Sequence, residues 1–231
     1  MDDKPIIDVI VPAYNEEESI HLVVRDIPSD FVRDIIVCNN GSTDNTAQKA
    51  ESAGAIVVDQ PVSGYGNACL KGIEFITNKQ IKPDVVVFLD GDYSDYPEQI
   101  RELVKPIVIN DVDLVIGSRA TGNLQRGSMT PQQLFGNWLA TSLIRLIYDY
   151  TFTDLGPFRA IKWDKLVELD MQDRDYGWTV EMQVKAAKLN YNCTEIPVNY
   201  RKRIGKSKVS GTVKGTILAG HKILWTIFKL I

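Results

Sequence analysis

Two hydrophobic patterns alternate through the first half of the chain. Short, nearly continuous apolar runs occupy 6–14 ("IIDVIVPAY"), 33–38 ("RDIIVC"), 55–60 ("AIVVDQ"), 83–90 ("PDVVVFLD") and 111–119 ("DVDLVIGSR"). Runs of this length, rich in Val and Ile, suit strands covered on both faces. Between them, at 16–27, 43–54, 66–76 and 97–108, apolar positions recur every three or four residues, the spacing of amphipathic helices. Thr43 or Asp44 is a fitting cap for the second helix and Gly54 a fitting stop. The alternation predicts an α/β domain: a mostly parallel sheet with helices on both faces.

The pattern then changes. Residues 122–130 are polar and contain glycine, which predicts a mobile loop. A long helix opened by Pro131 follows over 131–150. A turn and strand (153–163), a helix (178–189) and a strand (193–200) complete the body. In a last helix over 212–231, Val213, Ile217, Leu224, Phe228 and Ile231 share one stripe, and Lys214, Lys222 and Lys229 share another. The expected organisation is a domain over 1–200 and a basic loop with a C-terminal amphipathic helix over 201–231. Such a helix, carrying Trp225, can lie in a membrane interface or pack on its own domain or a second copy.

Composition adds limits. With 231 residues, 44% of them hydrophobic and 24% charged, the chain is an ordinary globular one and not a disordered one. A net charge of −4 argues against a nucleic-acid partner. The charge is uneven: no Asp or Glu follows Glu195, whereas Arg201, Lys202, Arg203, Lys206, Lys208, Lys214, Lys222 and Lys229 do. That end therefore suits an anionic partner, either phosphate or a membrane surface. Cys38, Cys69 and Cys193 show no metal-site spacing and suit a reducing compartment. There is no signal region and no apolar run of spanning length, so the chain reads as cytoplasmic, peripheral at the inner membrane face.

In alternating α/β sheets, ligands bind beyond the carboxyl ends of the strands. The polar segments "PAYNEEES", "NNGSTDNT", "QPVSGYG", "DGDYSD" and "GSRATG" all fall there. Asp90 and Asp92 stand one residue apart at a strand tip. A divalent cation between them, Mg²⁺ or Mn²⁺, would make that pairing tolerable and could hold a diphosphate. Helix capping is the plainer alternative. Asn39 and Asn40 could read a nucleotide base. Gly64 and Gly66 precede a helix, where backbone can approach a ligand.

In this order, "VIVPAYNEEESI", "NNGSTDNT", "GYGNACLKG", "FLDGDYSDYPE", "VIGSR" and "DLGPFRAI" resemble a family 2 glycosyltransferase of the GT-A fold. The nearest similarity is to the synthases of dolichyl- or polyprenyl-phosphate sugars. The resemblance implies a metal-dependent inverting transfer of a hexose from a nucleotide sugar to a polyprenyl phosphate or other lipid acceptor. It implies that Pro12, Ala13, Tyr14 and Glu16 line the nucleotide pocket with Asn39, Asn40, Gly66 and Gly91, and that Asp90 and Asp92 hold metal and diphosphate. Arg119 and Arg159 resemble arginines that meet phosphate. Arg203, Lys206, Ser207 and Lys208 resemble a basic loop closing over the donor diphosphate or the acceptor phosphate. Ser94 stands where the family commonly has a Gln that contacts the metal, and Asp95 is a candidate substitute.

Asn40 replaces an Asp common in the family. An amide offers uracil an acceptor and a donor, whereas a carboxylate suits the adjacent donors of guanine. UDP-glucose is thereby favoured as donor, with GDP-mannose next. An anionic acceptor needs positioning; an alcohol acceptor needs a base, for which Glu181, Asp154 and Asp175 are candidates. A soluble acceptor stays open, as do a homo-oligomer, a haloacid-dehalogenase-type phosphatase and a sugar-nucleotide-binding protein without catalysis.

Overall fold

The computed structural model describes residues 4–205 and 213–231, with backbone alone for 213–217. Strands β1 (Ile7–Ala13), β2 (Asp34–Asn39), β3 (Ile56–Asp59), β4 (Val85–Phe88) and β5 (Leu114–Ser118) alternate with helices α1 (Ile20–Asp26), α2 (Thr46–Ser52), α3 (Tyr65–Thr77) and α4 (Ile100–Asn110). The rest of the body is α5 (Pro131–Tyr148), β6 (Arg159–Lys162), α6 (Trp163–Glu168), α7 (Trp178–Lys188) and β7 (Cys193–Pro197), followed by α8 (Val213–Lys229).

The seven strands run in the order β3-β2-β1-β4-β6-β5-β7. All pairings are parallel except those of β6, which lies antiparallel between β4 and β5. Every residue of β1, β4 and β5 is buried, as unbroken apolar strands require when helices cover both faces. Ile10, Ile36, Phe88 and Ile116 point to one layer of core, with Trp178 and Ile144. Val9, Val11, Val87 and Val115 point to the other, with Ile20, Leu103 and Val104.

Local chemistry sets several boundaries. Helix α2 starts at Thr46, later than the expected cap at Thr43 or Asp44. The Asp44 carboxylate instead accepts from the Thr46 backbone N–H at 3.0 Å and fixes the turn ahead of the helix. Helix α5 begins with a capping box: Thr130 Oγ1 accepts from Gln133 N–H, and the Gln133 side chain accepts from Thr130 N–H.

Helix α8 packs against α5 and α7. The core contact uses a stripe other than the expected one of Leu224, Phe228 and Ile231. Ile227 is fully buried, Ile223 and Leu230 pack on the core, and the Ile227 carbonyl accepts the Tyr148 hydroxyl. Trp225, Phe228 and Ile231 remain exposed. The helix has a core side and a second apolar side in solvent, so periodicity alone could not choose between packing and interface.

Candidate active site

The strand order reverses around β1, between β2 and β4, and a cleft of about 280 Å³ opens beyond their carboxyl ends. Pro12, Ala13, Tyr14 and Glu16 form the wall after β1, and Asn40 the wall after β2. Asp90, Gly91 and Asp92 form the floor after β4. Ser63, Gly64 and Tyr65 come from the start of α3, Asp175 and Tyr176 from the loop ahead of α7, and Arg203 from the segment after β7.

At the floor, Asp90 accepts the Tyr65 hydroxyl at 3.0 Å. Burial, and then the neighbouring Asp92 carboxylate, push the Asp90 carboxyl up to about 7. Asp92 Oδ1 accepts the Ser94 backbone N–H at 2.9 Å and the Ser94 hydroxyl. Its Oδ2 lies 3.2 Å from Arg203 Nη1, and Arg203 Nη2 donates to Glu16 at 2.8 Å. Asp95, only 1% exposed, has no hydrogen-bond partner for either carboxylate oxygen among the described residues. Burial, with Asp90 and Asp92 nearby, raises its carboxyl well above the usual range.

The paired acids fit a divalent cation that takes two protein carboxylates and completes its shell with water and ligand oxygens. Among the described residues no three acidic, His or Cys side chains converge as a metal cage. Asp95 therefore does not join Asp90 and Asp92 as a third ligand, and Ser94 is engaged with Asp92.

Several expected site residues stand elsewhere. The Asn39 amide donates to Asp59 at 2.8 Å, outside the cleft. Asn40 lines the cleft, but both its N–H donors serve backbone carbonyls, Gln60 O at 3.1 Å and Val62 O at 2.7 Å. Its oxygen accepts Gly64 N–H at 2.8 Å. An amide bonded in this way shapes the 60–64 loop and has no donor left for a base. Gly66 faces protein instead of ligand: a Cβ there would stand 2.0 Å from Asp173 O and 2.7 Å from Arg174 C. That glycine lets α3 approach the loop carrying Asp175 and Tyr176, and Asn67 N–H donates to Arg174 O at 3.0 Å.

Arg119 and Asp154 form one buried unit. Arg119 donates to Asp154 from Nη2 at 2.6 Å, from Nε at 2.8 Å and from its backbone at 2.7 Å. Burial opposes ionisation of Asp154, yet the guanidinium holds its carboxyl below the usual range. A carboxyl so held is a poor proton acceptor. Arg159 is fully buried and donates to the carbonyls of Leu155, Gly156 and Thr179; burial lowers it to about 10. It braces the turn before β6 and does not line the cleft. Glu181 accepts the backbone N–H of Gln172 (2.9 Å) and Asp173 (2.7 Å) and pairs with Lys185. Its carboxylate is thus a loop anchor. Asp175 alone of the three base candidates lines the cleft; burial, then Asp173, raises its carboxyl. Lys206, Ser207 and Lys208 lie outside the described residues.

Tyr65, Ser63 and Tyr176 are cleft residues that the sequence reading passed over. Tyr65 is the aromatic between the two glycines of "GYG", whose pattern points to backbone approach and not to the side chain between them. Nothing in the sequence marked Tyr176.

Comparison with known proteins agrees with this geometry. An uncharacterized glycosyltransferase of Mycobacterium tuberculosis is 35% identical over 215 residues, 91% of this chain and 93% of its own. The undecaprenyl-phosphate mannosyltransferase of Micrococcus luteus is 28% identical, covering 89% and 88% of the two chains. The dolichyl-phosphate hexose transferase of Haloferax volcanii is 29% identical, covering 91% and 89%. Among solved structures, glucosyl-3-phosphoglycerate synthase from M. tuberculosis, in complex with Mn²⁺, UDP and phosphoglyceric acid, superposes with a TM-score of 0.79 at 20% identity. The superposition covers 98% of this chain and 78% of that one, and it establishes the shared GT-A architecture. The description "Glycosyl transferase family 2" matches residues 8–168. Its fold, its cleft at the strand reversal and its match over most of its length place this chain in glycosyl transferase family 2.

Proposed function

We propose that the cleft binds a nucleotide sugar with Mg²⁺ or Mn²⁺ and passes its hexose, with inversion, to a polyprenyl phosphate at a membrane surface. The carrying observation is the Asp90–Asp92 pair at the β4 tip, opening into a cleft whose only described basic residue is Arg203. Asp90 and Asp92 would hold the cation, which when bound neutralises charge on the departing diphosphate. Glu16 and Tyr65 hold Arg203 and Asp90 in place. Tyr14, 44% exposed at the rim, is free to lie against a base. UDP-glucose leads as donor because UDP occupies the structural neighbour. The Asn40 amide no longer supports that choice. GDP-mannose comes next.

Two observations support a lipid phosphate as acceptor. First, Asp154 and Glu181 are committed to structural partners, and an anionic nucleophile needs no base. Second, α5 exposes Phe135 and Trp138, and α8, packed beside it, exposes Trp225 and Phe228. Aromatic residues on adjacent helices suit the interface of a bilayer. No helix among the described residues is long and apolar enough to cross one, so contact would be peripheral. The relatives acting on undecaprenyl and dolichyl phosphates support the same acceptor class. Family membership excludes the dehalogenase-type phosphatase.

A second reading rests on Asp175. Its raised carboxyl in the cleft wall suits a general base for a soluble hydroxyl acceptor. Label from UDP-glucose or GDP-mannose, offered with Mn²⁺ to polyprenyl phosphate and to phosphoglyceric acid, separates the two. Transfer into the organic phase, insensitive to Asp175→Asn, supports the lipid acceptor. Transfer only to the soluble acid, lost in that variant, supports the second reading.

A further inference from the structure

Arg203 stands where two carboxylates of the cleft face each other. It bridges Glu16 Oε1 at 2.8 Å and Asp92 Oδ2 at 3.2 Å. The segment carrying it is laced to the β4 tip. Arg201 N–H donates to Ser94 O at 2.9 Å, and Ile204 N–H donates to Asp92 O at 3.0 Å. The Arg201 side chain donates to Tyr93 O at 2.7 Å and to Asp95 O at 3.1 Å, with its guanidinium over the Tyr96 ring at 4.2 Å. Arg203 is thus held over the acids by a fixed strap.

The two oxygens of Asp92 differ. Oδ1 already accepts the Ser94 backbone and hydroxyl, so Oδ2 is the one presented to cations. A guanidinium there relieves repulsion among Glu16, Asp90 and Asp92 with a single charge, whereas a divalent ion brings two. Both cations contend for one oxygen, and each repels the other.

We propose that Arg203 is the resident cation of the donor-free site: it occupies Asp92 until a divalent ion arrives, and it then exchanges Asp92 for the nucleotide diphosphate. The inference rests on the metal reading of the cleft. It has a thermodynamic consequence. A divalent ion alone must displace the guanidinium without return. With the diphosphate present, the displaced guanidinium gains an anionic partner. Metal and nucleotide therefore promote each other's binding, and Arg203 is the group that couples them.

The test measures Mn²⁺ alone, then UDP, on wild type, Arg203→Gln and Arg203→Lys, with free Mn²⁺ followed by electron paramagnetic resonance. Without nucleotide, Arg203→Gln should bind Mn²⁺ about tenfold more tightly, since a like charge beside the site is gone. At saturating Mn²⁺ the same variant should bind UDP about tenfold more weakly, since a charge-assisted contact is lost. Arg203→Lys, which keeps the charge but lacks the planar fork that reaches Glu16 and Asp92 from separate nitrogens, should fall between on both scales and serves as the folded control. Equal or weaker Mn²⁺ binding by Arg203→Gln overturns the proposal, and so does unchanged UDP affinity. If no protein binds Mn²⁺ with or without UDP, it is the metal reading itself that fails.

Discussion

Asp90 carries the plainest pH signature in the molecule. Its carboxyl is pushed up to about 7 by burial and by Asp92, against the opposing bond from Tyr65. Below that pH it is protonated and cannot hold a cation. Mn²⁺ affinity should therefore rise as pH increases through about 7 and level off above it; a flat titration from acid to alkaline pH would contradict the assignment. The sign for stability is the reverse. A carboxyl whose folded value lies above its ordinary 3.8 is destabilising when ionised, so the metal-free protein should lose stability as pH rises between those values. Asp90→Asn should flatten that part of the profile in thermal melts.

Asn40 makes a contrasting prediction. Its amide bonds Gln60 O, Val62 O and Gly64 N–H. Asn40→Asp would bring a carboxylate against two carbonyls and loosen the 60–64 loop. UDP and GDP binding should weaken together with their ratio unchanged. A swap of preference toward GDP in competition binding would restore Asn40 as the base-reading residue. Asp154→Ala leaves Arg119 buried without its partner, which costs about 3–5 kcal/mol. Denaturant unfolding should show a loss on that scale, and a change below 1 kcal/mol would mean that the pair is not structural.

At the scale of elements, the cleft depends on how α3 meets the loop ahead of α7. Gly66→Ala places a methyl group 2.0 Å from Asp173 O, backbone that cannot turn aside. The loop bearing Asp175 and Tyr176 must move, and UDP affinity at saturating Mn²⁺ should fall at least tenfold while circular dichroism stays native. Unchanged affinity would detach this loop from the donor site. The same contact shows what was legible in the sequence. The strands β1 to β5, their intervening helices and the collection of polar residues at the strand tips follow from periodicity, because each element's pattern is local. The antiparallel insertion of β6 between β4 and β5 does not, because strand order is a property of tertiary packing. The family resemblance implies phosphate contacts for Arg119 and Arg159, yet their burial against Asp154 and against backbone carbonyls is invisible in a one-dimensional pattern. Asp90, Asp92, Glu16 and Arg203, drawn from three distant segments, were legible because strand tips and a closing basic segment share one end of such a sheet.

At the scale of the whole molecule, α8 links the exposed aromatics to the loop that lines the cleft. Its Lys222 pairs with Asp173 at 2.8 Å, and Asp173 in turn accepts the backbone N–H of Asp175 and Gly177. If the exposed aromatics meet a bilayer, Trp138→Ser combined with Trp225→Ser should abolish association with anionic vesicles. Surface substitutions of this kind leave stability within about 0.5 kcal/mol. Association should also weaken with salt, as each basic residue near such a surface contributes about 1 kcal/mol that screening removes. Sedimentation with vesicles that is unchanged in the double variant would turn those faces over to protein contacts. The central claim is that the carboxylates at the β4 tip hold the donor through a divalent ion. Calorimetric titration of UDP tests it most directly, comparing wild type with Asp92→Asn in Mn²⁺ and in EDTA. Wild type should give binding heat in Mn²⁺, with none for wild type in EDTA or for the variant in either, and the variant's melting transition should be preserved. Equal UDP binding by wild type in Mn²⁺ and in EDTA, or by the variant in Mn²⁺, would contradict it.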